Sequence, residues 1–351
     1  MDSLRKKIIN NHTAQLQGQL QEQEMKMGKK QFIKKLSFVF LALFLLFGLF
    51  IFSRAQNFFS VINNTDKSKA AILFPMAEDI ELFKDENRTN ILLLGIRGED
   101  DMEHGGLLAD TIMVASIDDE TKKAALISVP RDTYLQIPGT QRKEKINASY
   151  LVGEEKLPNV GGLELTKRSV EYVTGLYIDH VVSVDFKAFK EVIDELGGVD
   201  IYLEKEFSEN KQWGVNFYVA PGEQHLNGDV ALYYVRSRYS TNDFDRARRQ
   251  QQVLVAMKNQ ATEIGFLANP FKINAILEIL ENRIKTDITI FDVVKFSKSM
   301  QQIDDKNIKH KVFSTEDGTL THTTINGAYV LLPKDGSFNK IREISRNILN
   351  N

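Results

Sequence analysis

The sequence predicts an α/β protein: an α/β/α sandwich around a central mixed sheet, preceded by one transmembrane helix. Three observations point there. From Thr89 onward, short apolar runs rich in β-branched residues alternate with stretches of helical period. Two of those runs are separated only by "DDETK", a hairpin-length turn, so the sheet contains an antiparallel pair. Far upstream, "LSFVFLALFLLFGLFIFS", Leu36 to Ser53, carries no charge.

Residues 1–35 form a polar, glutamine-rich tail without visible chemistry. The uncharged stretch that follows is long enough, at about 18 residues, to cross most of a bilayer core as a helix. Lys26, Lys29, Lys30, Lys34 and Lys35 precede it and only Arg54 follows closely, which places the N-terminus in the cytoplasm and the rest of the chain outside the cell membrane. A cleaved signal peptide fits less well, because its apolar region spans about 7 to 15 residues and Ser53-Arg54-Ala55 is a poor cleavage site. Residues 54–86 read as a stalk, and residues 87–350 as the outer domain.

Within that domain "NILLLGI" (Asn90 to Ile96), "TIMVASI" (Thr111 to Ile117) and "KAALISV" (Lys123 to Val129) are continuous apolar runs, hence strands buried on both faces. "HVVSVDF" (His180 to Phe186) is a fourth strand. The helix "KAFKEVIDEL" follows, ended by Gly197 and Gly198, and then a strand at Val199. Asn227 and Gly228 open a helix that delivers Arg236 near its end. From about Phe244 another helix places Arg246, Arg249 and Gln250 on one stripe with Val253 and Met257, turning that face inward and Arg248 outward. "NPFKINAILEILENRI" and "ITIFDVVKFSKSMQQI" are amphipathic helices, and "YVLLP" (Tyr329 to Pro333) adds a strand.

Composition removes several chemistries. The formal net charge of -2 gives no general case for nucleic acid binding, and zero cysteines exclude disulfides, thiolate zinc sites and a cysteine nucleophile. The histidines are scattered without metal spacing, and no Walker loop, GxSxG or GxGxxG occurs. What remains are three loops at strand or helix ends. "RGEDDMEHGGLLADT" carries Glu99, Asp100, Asp101, His104 and Asp110; "VPRDTYLQIPG" carries Arg131 and Asp132; and "YVRSRYSTNDFDRARRQQQ" holds Arg236, Arg238, Asp243, Arg246, Arg248 and Arg249. Inward arginines need an anion, either Asp243 and Asp245 or a bound phosphate. Carboxylates at one strand entrance and arginines from two remote segments are the parts needed to hold magnesium and a pyrophosphate.

In these blocks, including "KINASY" after the second loop, the chain closely resembles the LytR-CpsA-Psr proteins of bacterial envelopes, in order from about Thr89 to Met257. The resemblance implies a domain that binds a polyprenyl-pyrophosphate glycan in a deep apolar tunnel and transfers the glycan phosphate to peptidoglycan. It implies Mg2+ on Asp110, arginine roles in phosphate binding and catalysis for Arg131, Arg246 and Arg249 beside Asp132, and substrate contacts from Arg236, Arg238, Asp243 and Gln250. Helices after Val170 and Val253 would wall the tunnel, and Asp132 or Asp243 would take the proton of the acceptor hydroxyl. The chain departs from the family pattern at three places. Arg97 stands where many members have Asp, Leu108 and Ala109 replace Arg-Ser before the Asp-Thr pair, and Asp245 replaces Gly. The first leaves one metal ligand in doubt, with Asp100 or Asp101 as substitutes. Two other functions share this resemblance: a non-catalytic polyprenyl-phosphate-binding scaffold or transcriptional attenuator, and a pyrophosphatase acting on the same lipid.

Overall fold

The computed structural model describes residues 72–75, 80–212, 214–265, 276 and 283–350. The expected tail and membrane span lie outside these residues, as does nearly all of the helix expected at 269–284. Among the described residues no helix is long and apolar enough to cross a membrane.

The strands are β1 (Arg88–Gly95), β2 (Thr111–Asp118), β3 (Lys123–Ser128), β4 (Tyr134–Gln136), β5 (Lys143–Lys145), β6 (His180–Val184), β7 (Val199–Leu203), β8 (Phe207–Glu209), β9 (Phe217–Val219), β10 (Gly222–Leu226), β11 (Ile284–Thr286), β12 (Ile308–Val312), β13 (Leu320–Ile325) and β14 (Ala328–Pro333). The helices are α1 (Ala148–Lys156), α2 (Gly161–Thr174), α3 (Phe186–Glu195), α4 (Gly228–Arg236), α5 (Asp243–Glu263), α6 (Ile290–Gln301) and α7 (Asn339–Asn347).

Six strands form the main sheet in the order β11-β6-β1-β2-β3-β12. β1 runs parallel to β6 and antiparallel to β2; β3 runs antiparallel to β2 and parallel to β12; β11 is antiparallel to β6. The sheet is therefore mixed, with β6, β1, β3 and β12 pointing one way. Alternate residues along β1 serve two cores. Leu92 and Leu94 pack with Leu165, Val170 and Val173 of α2, whereas Ile91 packs with Met113, Leu126 and residues flanking α6. Helices cover both faces, as the unbroken apolar runs require. A third core joins α3, α4 and α5 to β7 and β10.

Element limits differ from expectation where a side chain intervenes. The strand expected to reach Phe186 stops at Val184, because Asp185 caps α3 and its Oδ1 accepts from the Ala188 N–H at 2.7 Å. The strand at Tyr329 belongs to the separate β13–β14 hairpin, not to the main sheet.

α1 and α2 cross at a glycine pair. A Cβ built on Gly153 would collide with the Gly161 carbonyl, and one on Gly161 with the Gly153 carbonyl. Backbone on both sides leaves nothing flexible to yield. Gly153→Ala should therefore push the helices apart and lower stability by roughly 1–3 kcal/mol, as overpacking does, measured by urea denaturation; an unchanged midpoint would contradict this packing.

Candidate functional site

Because β6, β1, β3 and β12 run in one direction, their carboxyl ends share one rim of the sheet, where ligands of α/β proteins bind. The amino end of β2 lies on the same rim, since Gly95 pairs with Thr111. Asp110 precedes β2 there, and Arg131 and Asp132 follow β3. Pro130 ends that strand in a turn closed by the Thr133 N–H on the Pro130 carbonyl at 3.0 Å. The backbone of Asn147 joins the two loops: its carbonyl accepts from the Ala109 N–H at 3.1 Å, and its N–H donates to the Arg131 carbonyl at 3.3 Å. This is the structural task of the "KINASY" block.

The third segment arrives on α5. Asn242 caps it by accepting from the Asp245 N–H at 2.8 Å, so Asp243 and Arg246 stand on its first turns beside the loops. Arg131 Nη1 donates to Asp110 Oδ1 at 2.5 Å, and its Nε lies 3.5 Å from Asp243 Oδ1 and 3.9 Å from Asp132 Oδ2. Arg246 Nη2 lies 2.9 Å from Asp243 Oδ1 and donates to the Asp110 carbonyl at 3.0 Å. Lys145 Nζ donates to Asp132 Oδ1 at 2.6 Å. Arg97 Nε lies 3.8 Å from Asp110 Oδ2 while its Nη1 meets Asp101 at 3.2 Å. Asp110, Arg131, Asp132, Asp243 and Arg246 thus form one network, as the sequence suggested. Arg97 and Lys145 complete it; neither was expected as a site residue, although Lys145 lies within "KINASY".

Burial sets the proton affinities. It pushes the Arg246 guanidinium down, partly offset by Asp243. Burial opposes charge on Arg131 too, but Asp110, Asp243 and Asp132 together raise its pKa. Burial raises the pKa of Asp243, which Arg246 and Arg131 only partly counter. The Nε–H groups of Arg131 and Arg246 are buried and make no hydrogen bond among the described residues.

Beside this network a cavity of about 320 Å³ opens between the sheet and helices α3, α4 and α5. Its wall is apolar, with Leu93 and Met113 from the sheet, Phe189 and Val192 from α3, and Leu254 and Met257 from α5. Its polar lining includes Arg97, Asp110, Asp185, Arg236, Arg238, Arg246 and Gln250. The Arg236 guanidinium lies 4.1 Å over the Phe186 ring, and its pKa is lowered by burial and then by Arg97. The helix after Val253 is a wall of this cavity, as expected. The helix after Val170 is not: α2 packs on the opposite face of the sheet, where Val170 is core. α3 and α4 take its place.

The surroundings of Asp110 do not suit a divalent cation. Both its carboxylate oxygens face guanidinium groups, Asp101 is paired with Arg97, and among the described residues no three acidic or histidine side chains gather as a metal site. The side chain of Asp100 lies outside the described residues.

Arg249 stands apart from the cluster. Although only 7% exposed, it is not among the residues lining the cavity. Its Nε donates to the Tyr234 carbonyl at 2.9 Å, Nη2 to the Ser237 carbonyl and Nη1 to Thr241 Oγ1 at 3.3 Å, and the group sits 4.5 Å over the Phe207 ring. With its donors turned to the loop that presents Arg236 and Arg238, it holds that loop instead of reaching a ligand. Burial lowers its pKa to about 10. Glu209, fully buried, supports the same loop by accepting from the N–H groups of Tyr239 and Ser240, each at 2.9 Å. Arg248, with 49% of its side chain exposed, pairs only at the surface with Asp245 and Glu316. Arg249→Ala should therefore destabilise the fold by roughly 1–3 kcal/mol through its abandoned carbonyls, and Arg248→Ala should change the thermal midpoint little. Equal melting of the two variants would refute the loop-holding role.

Comparison with known proteins identifies relatives of the chain and of its fold. The chain is 29% identical over 339 residues to the polyisoprenyl-teichoic acid–peptidoglycan teichoic acid transferase TagU of Bacillus licheniformis, covering 93% of this chain and all of the relative. The crystal structure of B. subtilis TagV superposes with a TM-score of 0.59 at 30% identity, covering 76% of this chain and 99% of TagV. A structure of TagT bound to LI-WTA shares the fold, with a TM-score of 0.60 at 21% identity over 78% of this chain and 96% of TagT. The model of the LytR_cpsA_psr family matches residues 47–347, and the chain belongs to that family.

Proposed function

We propose that this protein is an enzyme that transfers a glycopolymer from a polyprenyl-pyrophosphate carrier to peptidoglycan. The observation that carries the reading is the apolar cavity ending in guanidinium groups: a prenyl chain needs the first and a diphosphate the second. The relatives' names describe the same class of reaction on teichoic acid. The buried Nε–H groups of Arg131 and Arg246, which make no hydrogen bond among the described residues, support it further, since a buried donor without a hydrogen bond calls for an acceptor.

In this reading a hydroxyl of the acceptor sugar attacks the phosphorus that bears the glycan. A new P–O bond forms as the bond to the bridging oxygen breaks, and polyprenyl phosphate leaves with the electron pair. Charge gathers on the phosphate oxygens, which Arg236, Arg238 and Arg246 face from the mouth and Arg131 from the rim. Asp243 takes the hydroxyl proton: burial raises its proton affinity, which suits a general base, while Asp132 is occupied by its ion pair with Lys145. Gln250 lines the mouth with its amide on the Val235 carbonyl at 3.3 Å, setting the distance between α4 and α5. No covalent nucleophile on the protein is required.

In this reading the domain at 87–350 acts outside the cell, tethered to the membrane through the segment at 36–53. With purified protein, a lipid-linked oligosaccharide and peptidoglycan fragments, the wild type should form the glycan-phosphate linkage. Arg236→Ala should lose it by roughly a hundredfold to a thousandfold, the effect of removing one preorganised donor, with an unchanged melting curve. Lipid binding without transfer would favour the scaffold reading, and release of polyprenyl phosphate with free glycan phosphate, without transfer, the pyrophosphatase.

A further inference from the structure

Arg97 leaves β1 on a rigid hook. The Ile96 N–H donates to the Val184 carbonyl at 3.0 Å, extending the pairing of β1 with β6 by one residue, and the Gly98 N–H donates to the Gly106 carbonyl at 3.1 Å. Gly98 has φ 111°, which L side chains rarely adopt, and a Cβ on Gly106 would collide with the Gly98 carbonyl. Backbone on either side of Arg97 is therefore fixed, and Asp101 at 3.2 Å and Asp110 at 3.8 Å hold its guanidinium.

It is aimed at the mouth of the cavity. Arg97 lines that cavity together with Arg236, Arg238 and Arg246, and its Nε stands 3.8 Å from the outer oxygen of Asp110. A magnesium ion there would need an octahedron of oxygen donors at about 2.0–2.1 Å. Among the described side chains the carboxylates nearby are already committed to cations: Asp110 to Arg131, Asp101 to Arg97, Asp132 to Lys145, Asp185 to Arg283 and Asp243 to Arg246. A dication placed among these guanidiniums would be repelled by them, whereas a diphosphate would be attracted by each. The mutual pressure of Arg97 and Arg236, visible in the lowered proton affinity of Arg236 after burial is counted, is relieved by the same anion.

We infer that Arg97 occupies the place of the divalent cation in this chain, so that its diphosphate clamp is built from guanidinium groups alone and works without magnesium. The inference rests on the diphosphate reading above for its ligand but not for its geometry. A fixed monocation with planar donors binds two phosphate oxygens at once, and it cannot be removed by chelation.

The test uses the full-length protein in detergent. Titration with Mn2+, followed by electron paramagnetic resonance of the free ion, should show no site on the wild type below millimolar concentration and one new site in Arg97→Asp, where a second carboxylate would face Asp110. Binding of a polyprenyl diphosphate should be the same within twofold in Mg2+ and in EDTA, and Arg97→Ala should weaken it at least tenfold in both. A stoichiometric Mn2+ site on the wild type that Asp110→Ala abolishes, or loss of lipid binding in EDTA, would overturn the inference. Failure to bind the lipid in either buffer would count against the diphosphate reading instead, because the Mn2+ titration needs no lipid and decides the metal question by itself.

Discussion

The Asp110 carboxylate is where the rim of the sheet is fastened together. Arg131 holds one of its oxygens, Arg97 stands by the other, and Arg246 takes its carbonyl, so segments separated by more than a hundred residues meet on one amino acid. Such a cluster is expensive. Taking charges out of water costs several kcal/mol per ion after relaxation, and their mutual attraction repays this only with good geometry. An apolar plug would stabilise the rim at least as well. On the proposed function, buried guanidiniums, two of them with no hydrogen bond at Nε–H, make a preorganised field for an anion.

The backbone makes that field possible. The carboxyl ends of four strands converge because β3 and β12 repeat the direction of β1 and β6, and Asn147 then ties the loops after β1 and β3 to each other. Arg249 and Glu209 perform the matching task for the third loop, spending buried charges on backbone groups so that Arg236 and Arg238 are presented to the cavity. Burial is thus divided into two classes: charges that hold backbone, and charges that face the cavity or the rim.

Much of this was legible in the sequence, and the parts that were not have physical reasons. Continuous apolar runs gave β1, β2 and β3 because strands buried on both faces have no polar alternation. β12 carries no such signal, since "IKHKV" is an edge strand with exposed Lys309 and His310. The 3.6-residue period put Arg246, Arg249 and Gln250 on one side of α5, and two of them do line the cavity. Periodicity could not reveal that Arg249 turns back to its own loop, since that depends on carbonyls delivered by α4. The apolar stripe of α2 was equally real but belonged to the opposite core, because helical pattern names a buried face without naming the sheet surface it meets. Arg97 was visible as a departure, yet its partner Asp110 became evident only through the antiparallel pairing of β1 and β2.

The central claim is that a diphosphate sits at the mouth of the apolar cavity. A crystal structure of the protein with a bound polyprenyl diphosphate tests it most directly. The account predicts phosphate oxygens within hydrogen-bond distance of Arg236 and Arg246, with the first prenyl units between Phe189 of α3 and Leu254 of α5. Diphosphate found instead on the basic groove of Lys309, Lys311 and Lys340, with the cavity holding no lipid, would contradict it.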